Sequence, residues 1–472
     1  MRRDHRRITG IVNIAGLSFV CAFLIAAVPP ASAIPVEASS SPLLQLDLVK
    51  VPPPKTSANW SVADIYRSSS TDWISSVAVD SRGRPHIAFA GQSEQAIYHA
   101  FWTSSSWEVE KVCDTIFYAT PIIALDSNDA PHIIYSDYYG ERLSYAYNTS
   151  GQWVTEVICY AMGTGLCGIG PSFVLDSQDR PHVSYYDALY DVIDSYHVMY
   201  VTRQQPDGAW QFNMLHSYGV ISSDDFLEFR GTSLALDSRG HPRLAFAAER
   251  KSEVVYASYD GNSWSGTAIG CLDLPSWGSA CGLPSLALDA QDRPHISFFK
   301  DFADPPSRSG WIAYASLNGT GWDLRLVSSS GLAYTSIVTD SDSKVHIFHA
   351  PNWYMLRTEV GANMTTEVVD PQYGAQAIYP DGAVIDRSGG YHVVYCHRDQ
   401  ATHQYSVRYA HKWGRLNITI SRIFGDGGDW QKSSQASGPG YTSDCVPILH
   451  LARFEPAAVL IDKAKLDGFQ SD

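Results

Sequence analysis

The sequence lacks the features by which several protein classes are recognised. It has no basic excess, because 34 Lys and Arg stand against 49 Asp and Glu and the formal charge is −15. Nucleic acids and anionic membranes are bound by basic faces, so we expect neither as a partner. No Cys-x-x-Cys pair and no complete EF-hand loop occur, so we predict no metal and no cofactor. Calcium binding at residues 126–129 or 340–342 is the alternative.

A long helical period is also missing, and only the N-terminus carries an apolar run long enough to span a bilayer. Four arginines, an apolar run over residues 8–28 and the sequence Ala31-Ser32-Ala33 are typical of a secretory signal peptide. We therefore expect residues 1–33 to be removed, leaving a secreted or cell-surface protein with no membrane span. An uncleaved anchor is the alternative. Residues 34–56 are rich in Pro and Ser and are predicted to be a linker.

What the sequence does contain is one unit written seven times. Each copy has an apolar run, an Asp, and then in most copies a Pro-His pair, as in Leu286-Ala-Leu-Asp289-Ala-Gln-Asp-Arg-Pro294-His295. Consecutive anchors lie 46 to 61 residues apart. The seven anchors are Asp80, Asp126, Asp176, Asp237, Asp289, Asp340 and Asp386.

Each unit contains four strand-like pieces, A to D, joined by turns rich in Asp, Gly and Ser. Four antiparallel strands in such a period are typical of a β-propeller blade. We predict an all-β, seven-bladed propeller of four-stranded antiparallel blades over residues 57–424, with the apolar A strand innermost. A Gly/Ser-rich tail over residues 425–472 leaves an eighth, truncated blade as the alternative. Two segments, 60–65 and 416–423, could each supply the last outer strand.

The repeated His is tempting as chemistry, since six of the seven units carry it. Catalysis in a single axial pocket needs different residues in different roles, whereas a group present in nearly every blade serves each blade. We therefore predict that the repeated Asp, Ser and His bond turn backbone and neighbouring strands. The repeated Trp is predicted to seal the gap between blades. The histidines are His86, His132, His182, His295, His346 and His392.

Function is expected on the face that carries the B–C and D–A loops, called here the loop face, because these loops vary in length. The A–B and C–D turns form the opposite turn face, where five glycosylation sequons fall, at Asn59, Asn148, Asn318, Asn363 and Asn417. The candidate ligand-binding residues are Asp137, Tyr138, Arg142, Asp187, Asp191, Arg230, Glu249, Arg250, Asp301, Trp353, Arg357, Arg398 and Asp399.

Two cysteine pairs bracket D–A loops in this exported chain. Their short spacing predicts the disulfides Cys159–Cys167 and Cys271–Cys281. Cys113, Cys396 and Cys445 remain, and one of them must be unpaired or bonded to another molecule.

The turn before one D strand, Ser258-Tyr-Asp260-Gly261-Asn-Ser263-Trp264, resembles the Asp-box of sialidase-type (BNR-repeat) propellers and is one residue short of it. The resemblance implies a propeller and a group that includes glycosidases, lectins and receptors. Our main hypothesis is a monomeric, non-enzymatic propeller that binds a glycan or an extracellular protein through the loop face. The alternative is a sialidase-like glycoside hydrolase or polysaccharide lyase acting at the central axis, with unknown catalytic residues.

Overall fold

The computed structural model describes most of residues 60–414. The residues left out of that range are 69–73, 92, 116–118, 137–141, 149, 162–164, 190–194, 206–207, 219–230, 249–252, 270–280, 303–308, 320 and 331–333. Three short strands outside it are also described, Val36–Glu37, Ile418–Thr419 and Gln435–Ala436.

Seven four-stranded antiparallel sheets surround a central axis, which confirms the predicted propeller. Each Asp-containing turn joins strands A and B, as the repeat predicts. The strands of blades 1 to 3, from A to D, are Ser75–Val79, Pro85–Gly91, Ala96–Trp102, Trp107–Asp114; Ile122–Leu125, Pro131–Ser136, Arg142–Tyr147, Val154–Tyr160; Leu166–Leu175, Pro181–Leu189, Ser195–Thr202 and Gln211–Tyr218.

Blades 4 to 6 repeat this arrangement, and a 3-10 turn, Pro351–Trp353, lies between strands B and C of blade 6. In the described part of the chain, no helix is both long and apolar enough to cross a membrane. The strands of these blades are Thr232–Leu236, Pro242–Ala248, Glu253–Tyr259, Trp264–Ile269; Cys281–Leu288, Pro294–Phe302, Ser309–Asn318, Gly321–Ser330; Thr335–Thr339, Val345–His349, Met355–Val360 and Thr365–Asp370.

Blade 7 is assembled from both ends of the propeller. Its strands B and C are Tyr391–Arg398 and Tyr405–Lys412, and its outermost strand is Ser61–Ser68 from the N-terminal side. The inner edge is broken into Ala375–Ala377 and Ala383–Ile385. The segment Ile418–Thr419 pairs instead with Gln435–Ala436. The N-terminal strand therefore closes the ring.

One further short strand is added to the outer edge of a blade. Val36–Glu37, within the predicted linker, lies parallel to strand D of blade 4. The remainder of the predicted signal peptide and linker falls outside the described residues, as does most of the tail after residue 414, including the proposed eighth blade. These boundaries stay predictions.

The A strands line the axis, as predicted, and each neighbours the A strands on either side, including blade 7 against blade 1. The hydrophobic core is divided among the gaps between blades. Phe246 and Phe298, for example, are fully buried in two adjacent gaps. Burying one such side chain stabilises the fold by about 1.5–3 kcal/mol. Each blade thus hides its two apolar faces against its neighbours.

The repeated Asp and His are structural, as predicted. In blade 5, Oδ1 of Asp289 accepts the backbone N–H groups of Gln291 and Arg293, both at 2.9 Å. Its Oδ2 accepts Nε–H of Arg293 at 2.6 Å and lies 3.3 Å from Nε2 of His295. Nδ1 of His295 lies 2.7 Å from the hydroxyl of Tyr314 on strand C. One carboxylate therefore holds a turn and two strands together.

The repeated Ser links neighbouring blades. The backbone N–H and hydroxyl of Ser238 donate to the carboxylate of Asp292 in the next blade, at 2.8 and 2.6 Å. Ser81 with Asp129 and Ser127 with Asp179 make the same pair of bonds. Adjacent turns are tied around the rim of the turn face.

The repeated Trp seals the gap to the preceding blade, as predicted. The indole of each Trp packs edge-on against an aromatic ring that occupies the equivalent position on strand C of the preceding blade. The pairs are Trp107–Tyr409, Trp153–His99, Trp210–Tyr145, Trp264–Tyr200 and Trp322–Tyr256, with ring centroids 5.1 to 5.6 Å apart.

Candidate functional site

The loop face carries only some of the predicted ligand-binding residues within the described part of the chain. Asp301 is described by its backbone alone, at the end of strand B of blade 5. Six others lie outside the described residues, namely Asp137, Tyr138, Asp191, Arg230, Glu249 and Arg250. Their roles stay predictions.

Arg142 and Asp187 lie on separate blades. Arg142 begins strand C of blade 2, where its guanidinium is close to Cys113 and Tyr135. Burial raises the pKa of both the Cys113 thiol and the Tyr135 phenol, and the positive charge of Arg142 opposes this rise. Asp187 lies near the end of strand B of blade 3, opposite Cys167 and His197.

Arg357 lies between blades 6 and 7 and away from the loops. Its Nε is 2.7 Å from Oε1 of Glu367, and its guanidinium lies 4.7 Å from the centre of the Tyr391 ring. Arg357 corresponds to Tyr314 of blade 5. Each of them lies on strand C, two residues before the residue that pairs with the repeated His. This environment gives Arg357 a packing role.

Trp353 and Arg398 are brought together through one glycine. The backbone N–H of Gly374 donates to the carbonyl of Trp353 at 2.9 Å, and the carbonyl of Gly374 accepts the N–H of Arg398 at 2.8 Å. Gly374 has φ +139° and is packed so closely that an added Cβ would lie 2.2 Å from the Arg398 carbonyl oxygen. Two B–C loops and one D–A loop therefore meet at this residue.

Asp399 follows Arg398 and serves the local turn. Its Oδ1 accepts the backbone N–H groups of Ala401 and Thr402 at 2.9 and 2.8 Å. These hydrogen bonds lower the pKa of the Asp399 carboxyl. Arg398 reaches Nδ1 of His403 at 3.1 Å. The turn is thus held in place beside the guanidinium.

Three aromatic side chains gather on the loop face at this meeting point. Tyr373 is 45% exposed and lies against Trp353, at 6.4 Å, and Tyr354, at 5.5 Å between ring centroids. Trp353 and Tyr354 are half-buried. Trp353 also has φ +69°, a conformation that is costly for a bulky side chain. We call Trp353, Tyr354 and Tyr373 the aromatic platform.

A ring of serines surrounds the axis. Each lies on an A strand, four residues before the repeated Asp, and its Oγ accepts a backbone N–H from the next blade. Ser76, Ser172, Ser233 and Ser285 accept these bonds at 2.9 to 3.1 Å from Ile123, Leu234, Leu286 and Ile337.

The D–A loop before blade 7 enters this ring. The carbonyl of Pro380 accepts the hydroxyls of Ser285 and Ser336 at 3.2 and 2.7 Å, although these residues belong to blades 5 and 6. The carbonyl of Asp381 accepts the N–H of Val77 in blade 1 at 3.1 Å. Pro380 and Asp381 therefore lie at the axis, where their backbone bonds to blades 1, 5 and 6.

Asp381 is the most unusual titratable group of the axis. It is surrounded by protein but keeps some accessible surface, as does Tyr379. No described side chain bonds to the carboxyl of Asp381, and burial raises its pKa to about 7. Tyr379 packs against Tyr334 at 4.6 Å between ring centroids, and burial raises the pKa of Tyr379.

The sequence contains a signal for Asp381 that our prediction missed. Aligned on the repeated Asp, the other six blades carry Ser, Thr or Pro where blade 7 carries Asp381. A carboxyl that appears in one blade alone has no repeated structural task. Tyr373 has no comparable signal, because its loop follows no repeat.

Cysteine placement agrees with the prediction where it is described. Cys159 and Cys167 form a disulfide between blades 2 and 3, on the loop face. Cys271 lies outside the described residues, so its pairing with Cys281 stays a prediction, and so does that of Cys445. Cys113 is a free thiol in the structure, and Cys396 is buried at strand B of blade 7. The sequons at Asn148, Asn318 and Asn363 lie at C–D turns, on the turn face.

One group of described residues could hold a metal ion, although the sequence predicted none. Asp386, His392 and His411 of blade 7 each place one ligand atom so that all three lie within 4.8 Å of one another. These residues lie on the turn face, away from the aromatic platform.

Comparison with known proteins gives similarities of shape. No family model matches the sequence, and no curated protein does. The polysaccharide lyase Uly1 matches with a TM-score of 0.49 and 10% identity, over 72% of this chain and 89% of that chain. The GH93 α-L-arabinofuranosidase of Fusarium graminearum matches with a TM-score of 0.45 and 11% identity, over 63% and 92%. The fucose-specific lectin from Aleuria aurantia gives 0.41 and 10%, over 67% and 97%. At these identities, none of them assigns a function to this chain.

Proposed function

We propose that this protein is a secreted or cell-surface propeller that binds carbohydrate on its loop face, at the aromatic platform of blades 6 and 7. The observation that carries the proposal is the position of Trp353. Its backbone is held in a strained conformation, and its ring lies beside the exposed Tyr373. Strain of this kind is retained where a side chain must be held in one place.

The chemistry of the platform suits a sugar. The apolar C–H face of a pyranose or furanose ring packs on an aromatic ring, while Tyr hydroxyls and guanidinium N–H groups bond the sugar hydroxyls. Arg398 is attached to the platform through Gly374 and supplies such donors. Its positive charge also favours sugars that carry a carboxylate.

Kinship with sialidase-type propellers belongs to the same proposal. It is supported by the turn at Asp260, whose Oδ1 accepts the N–H groups of Asn262 and Ser263 at 2.8 and 2.7 Å. An Asp that gathers backbone N–H groups before a D-strand Trp is what the Asp-box resemblance implies.

The test is a glycan-array screen of the wild-type protein followed by calorimetric titration of the best glycan. Trp353→Ala and Tyr373→Ala should each weaken binding at least about tenfold, because central aromatic residues carry most of the binding energy at such sites. Phe212→Ala is the matched control, since Phe212 is 48% exposed on strand D of blade 3. Equal affinities in all three variants would rule out the platform.

A second candidate, an enzyme acting on glycans at the axis, is favoured by Asp381. A carboxyl with a pKa of about 7 can both donate and accept a proton near neutral pH, as a general acid or base must. The wild-type protein would then release reducing or unsaturated ends from the glycan, and Asp381→Asn would abolish this release without weakening binding. A wild-type protein that binds the glycan but releases no product would exclude the enzyme and leave binding as the function.

A further inference from the structure

We propose that Asp386, His392 and His411 form a zinc-binding site on the turn face of blade 7. Two imidazoles and one carboxylate are a common set of zinc ligands, with a fourth position left for water. His392 is 1% and His411 6% exposed, so the ligands are enclosed. The site is independent of the proposed carbohydrate binding.

Blade 7 lacks the arginine that the corresponding carboxylates have in three of the other blades. In blades 1, 3 and 5, an arginine four residues after the repeated Asp places Nε 2.6 Å from the carboxylate. Blade 7 has Gly390 at that position, and an added Cβ there would lie 2.7 Å from Oδ2 of Asp386. The negative charge of Asp386 is therefore left for another positive group.

Blade 7 also has a third ligand that the other blades lack. His411 is paired in register with His392 across strands B and C. Blade 6 has a carboxylate at this place, but among the described residues only blade 7 brings three ligand atoms within 4.8 Å of one another. The residues at this place in the other blades are Phe101, Tyr147, Thr202, Ser258, Ser316 and Glu359.

The surrounding hydrogen bonds orient the ligand atoms. Nδ1 of His392 lies 2.6 Å from the hydroxyl of Tyr409, which leaves Nε2 facing Asp386 at 3.1 Å from Oδ2. Oδ1 of Asp386 accepts the N–H groups of Ser388 and Gly390, so Oδ2 is directed to the histidines. Zinc-bound histidines are oriented in this way by an oxygen partner on the other ring nitrogen.

The separation of the Asp386 and His392 ligand atoms also fits a zinc ion. Zn–N and Zn–O bonds of about 2.0–2.1 Å in a tetrahedron place neighbouring ligand atoms about 3.3 Å apart. Oδ2 of Asp386 and Nε2 of His392 are close to that separation. The ring of His411 is fixed by Trp413, whose centroid lies 4.0 Å away in an edge-on contact.

The experiment is a zinc titration of the full chain after treatment with EDTA, followed by calorimetry and metal analysis. We expect one zinc per chain in the wild type and an affinity at least about 100-fold weaker in His411→Ser, which inserts the residue that blade 5 has there. His403→Ser, on the loop face of the same blade, is the control and should bind as the wild type does.

A second readout and a second variant keep the result decisive. Zinc should raise the melting temperature of the wild type and of His403→Ser, but not of His411→Ser. His411→Asn keeps a polar side chain and should also lose binding, so it replaces His411→Ser if that variant does not fold. A wild type that binds no zinc, or that binds it no more tightly than the His411 variants, would overturn the proposal.

Discussion

The carboxyl of Asp381 shows how a single side chain can oppose the stability of the fold. Burial disfavours its charged form, so its pKa lies at about 7 instead of the usual 3.8. Between these two values the folded chain holds a proton that the unfolded chain has released. Stability is therefore greatest below about pH 4 with respect to this group and decreases as the pH rises towards 7.

The substitution Asp381→Asn should remove this loss of stability at higher pH. We expect the variant and the wild type to have similar melting temperatures near pH 4, and the variant to be the more stable at pH 8. The amide is uncharged at every pH, whereas the carboxylate must be buried in its charged form above pH 7. Thermal unfolding of both proteins from pH 4 to 8 measures the difference, and a difference that does not change with pH would contradict the raised pKa.

The sequence predicts residue roles well where a residue repeats, and less well elsewhere. The structural roles of the repeated Asp and His follow from their recurrence alone. Arg357 was placed with the loops because the sequence does not show where a short loop ends. Strand C of blade 6 begins at Met355, so the side chain of Arg357 enters the gap between blades. Such a difference of two residues decides whether a side chain faces solvent or the core.

At the scale of elements, the relative positions of three loops depend on Gly374. Its φ of +139° is accessible only to glycine, and its neighbours leave no room for a side chain. The positions of Trp353 and Arg398 both follow from its backbone hydrogen bonds. The aromatic platform is thus fixed by a residue that carries no side chain.

Gly374→Ala should displace the platform without unfolding the propeller. We expect glycan affinity to fall by about as much as in Trp353→Ala, since the alanine Cβ forces Arg398 and its loop apart from Trp353. Gly151→Ala is the comparison, because Gly151 has φ +83° but nothing within 4 Å of an added Cβ. Both variants introduce backbone strain, but only Gly374→Ala should displace a loop, so binding and melting measurements separate the two effects. Equal binding by both variants would contradict this role of Gly374.

At the scale of the molecule, a charged network fastens the closing strand. Arg408 on strand C of blade 7 donates to Asp64 on the N-terminal strand at 2.9 Å and to Asp370 of blade 6 at 2.8 Å. The hydroxyl of Tyr395 also donates to Asp370, at 2.6 Å. Arg408, Asp370 and Tyr395 are buried, so water cannot replace the lost partner of any of them.

Arg408→Met should therefore destabilise the propeller by about 3–5 kcal/mol, because two carboxylates lose a buried counter-charge. Arg67→Ala removes a partner of the same Asp64, but the side chain of Arg67 is 69% exposed, so the loss should be about 0–1 kcal/mol. Urea denaturation of both variants gives the two free energies of unfolding. Similar values for the two would show that the network does not hold the ring closed.

The number of repeat copies predicts the number of blades, because each of the seven copies must bury its two faces against its neighbours. The identity of the closing strand could not be predicted, because residues 60–65 and 416–423 both have the pattern of a D strand. Three-dimensional pairing with strand C decides between them. Asp64 and Arg408, which are 344 residues apart, form a contact that no local pattern reveals.

The origin of that closing strand sets an order of events for the newly made chain. Residues 61–68 emerge from the ribosome early, yet their partner strand is translated only after six blades are complete. Throughout that interval an unsatisfied β-edge is open to other chains. The same arrangement brings the two ends of the propeller together in blade 7, where they can be joined. A circularly permuted chain opened in another blade, with residue 60 joined to residue 414 in a short turn, would make its seventh sheet from one continuous stretch.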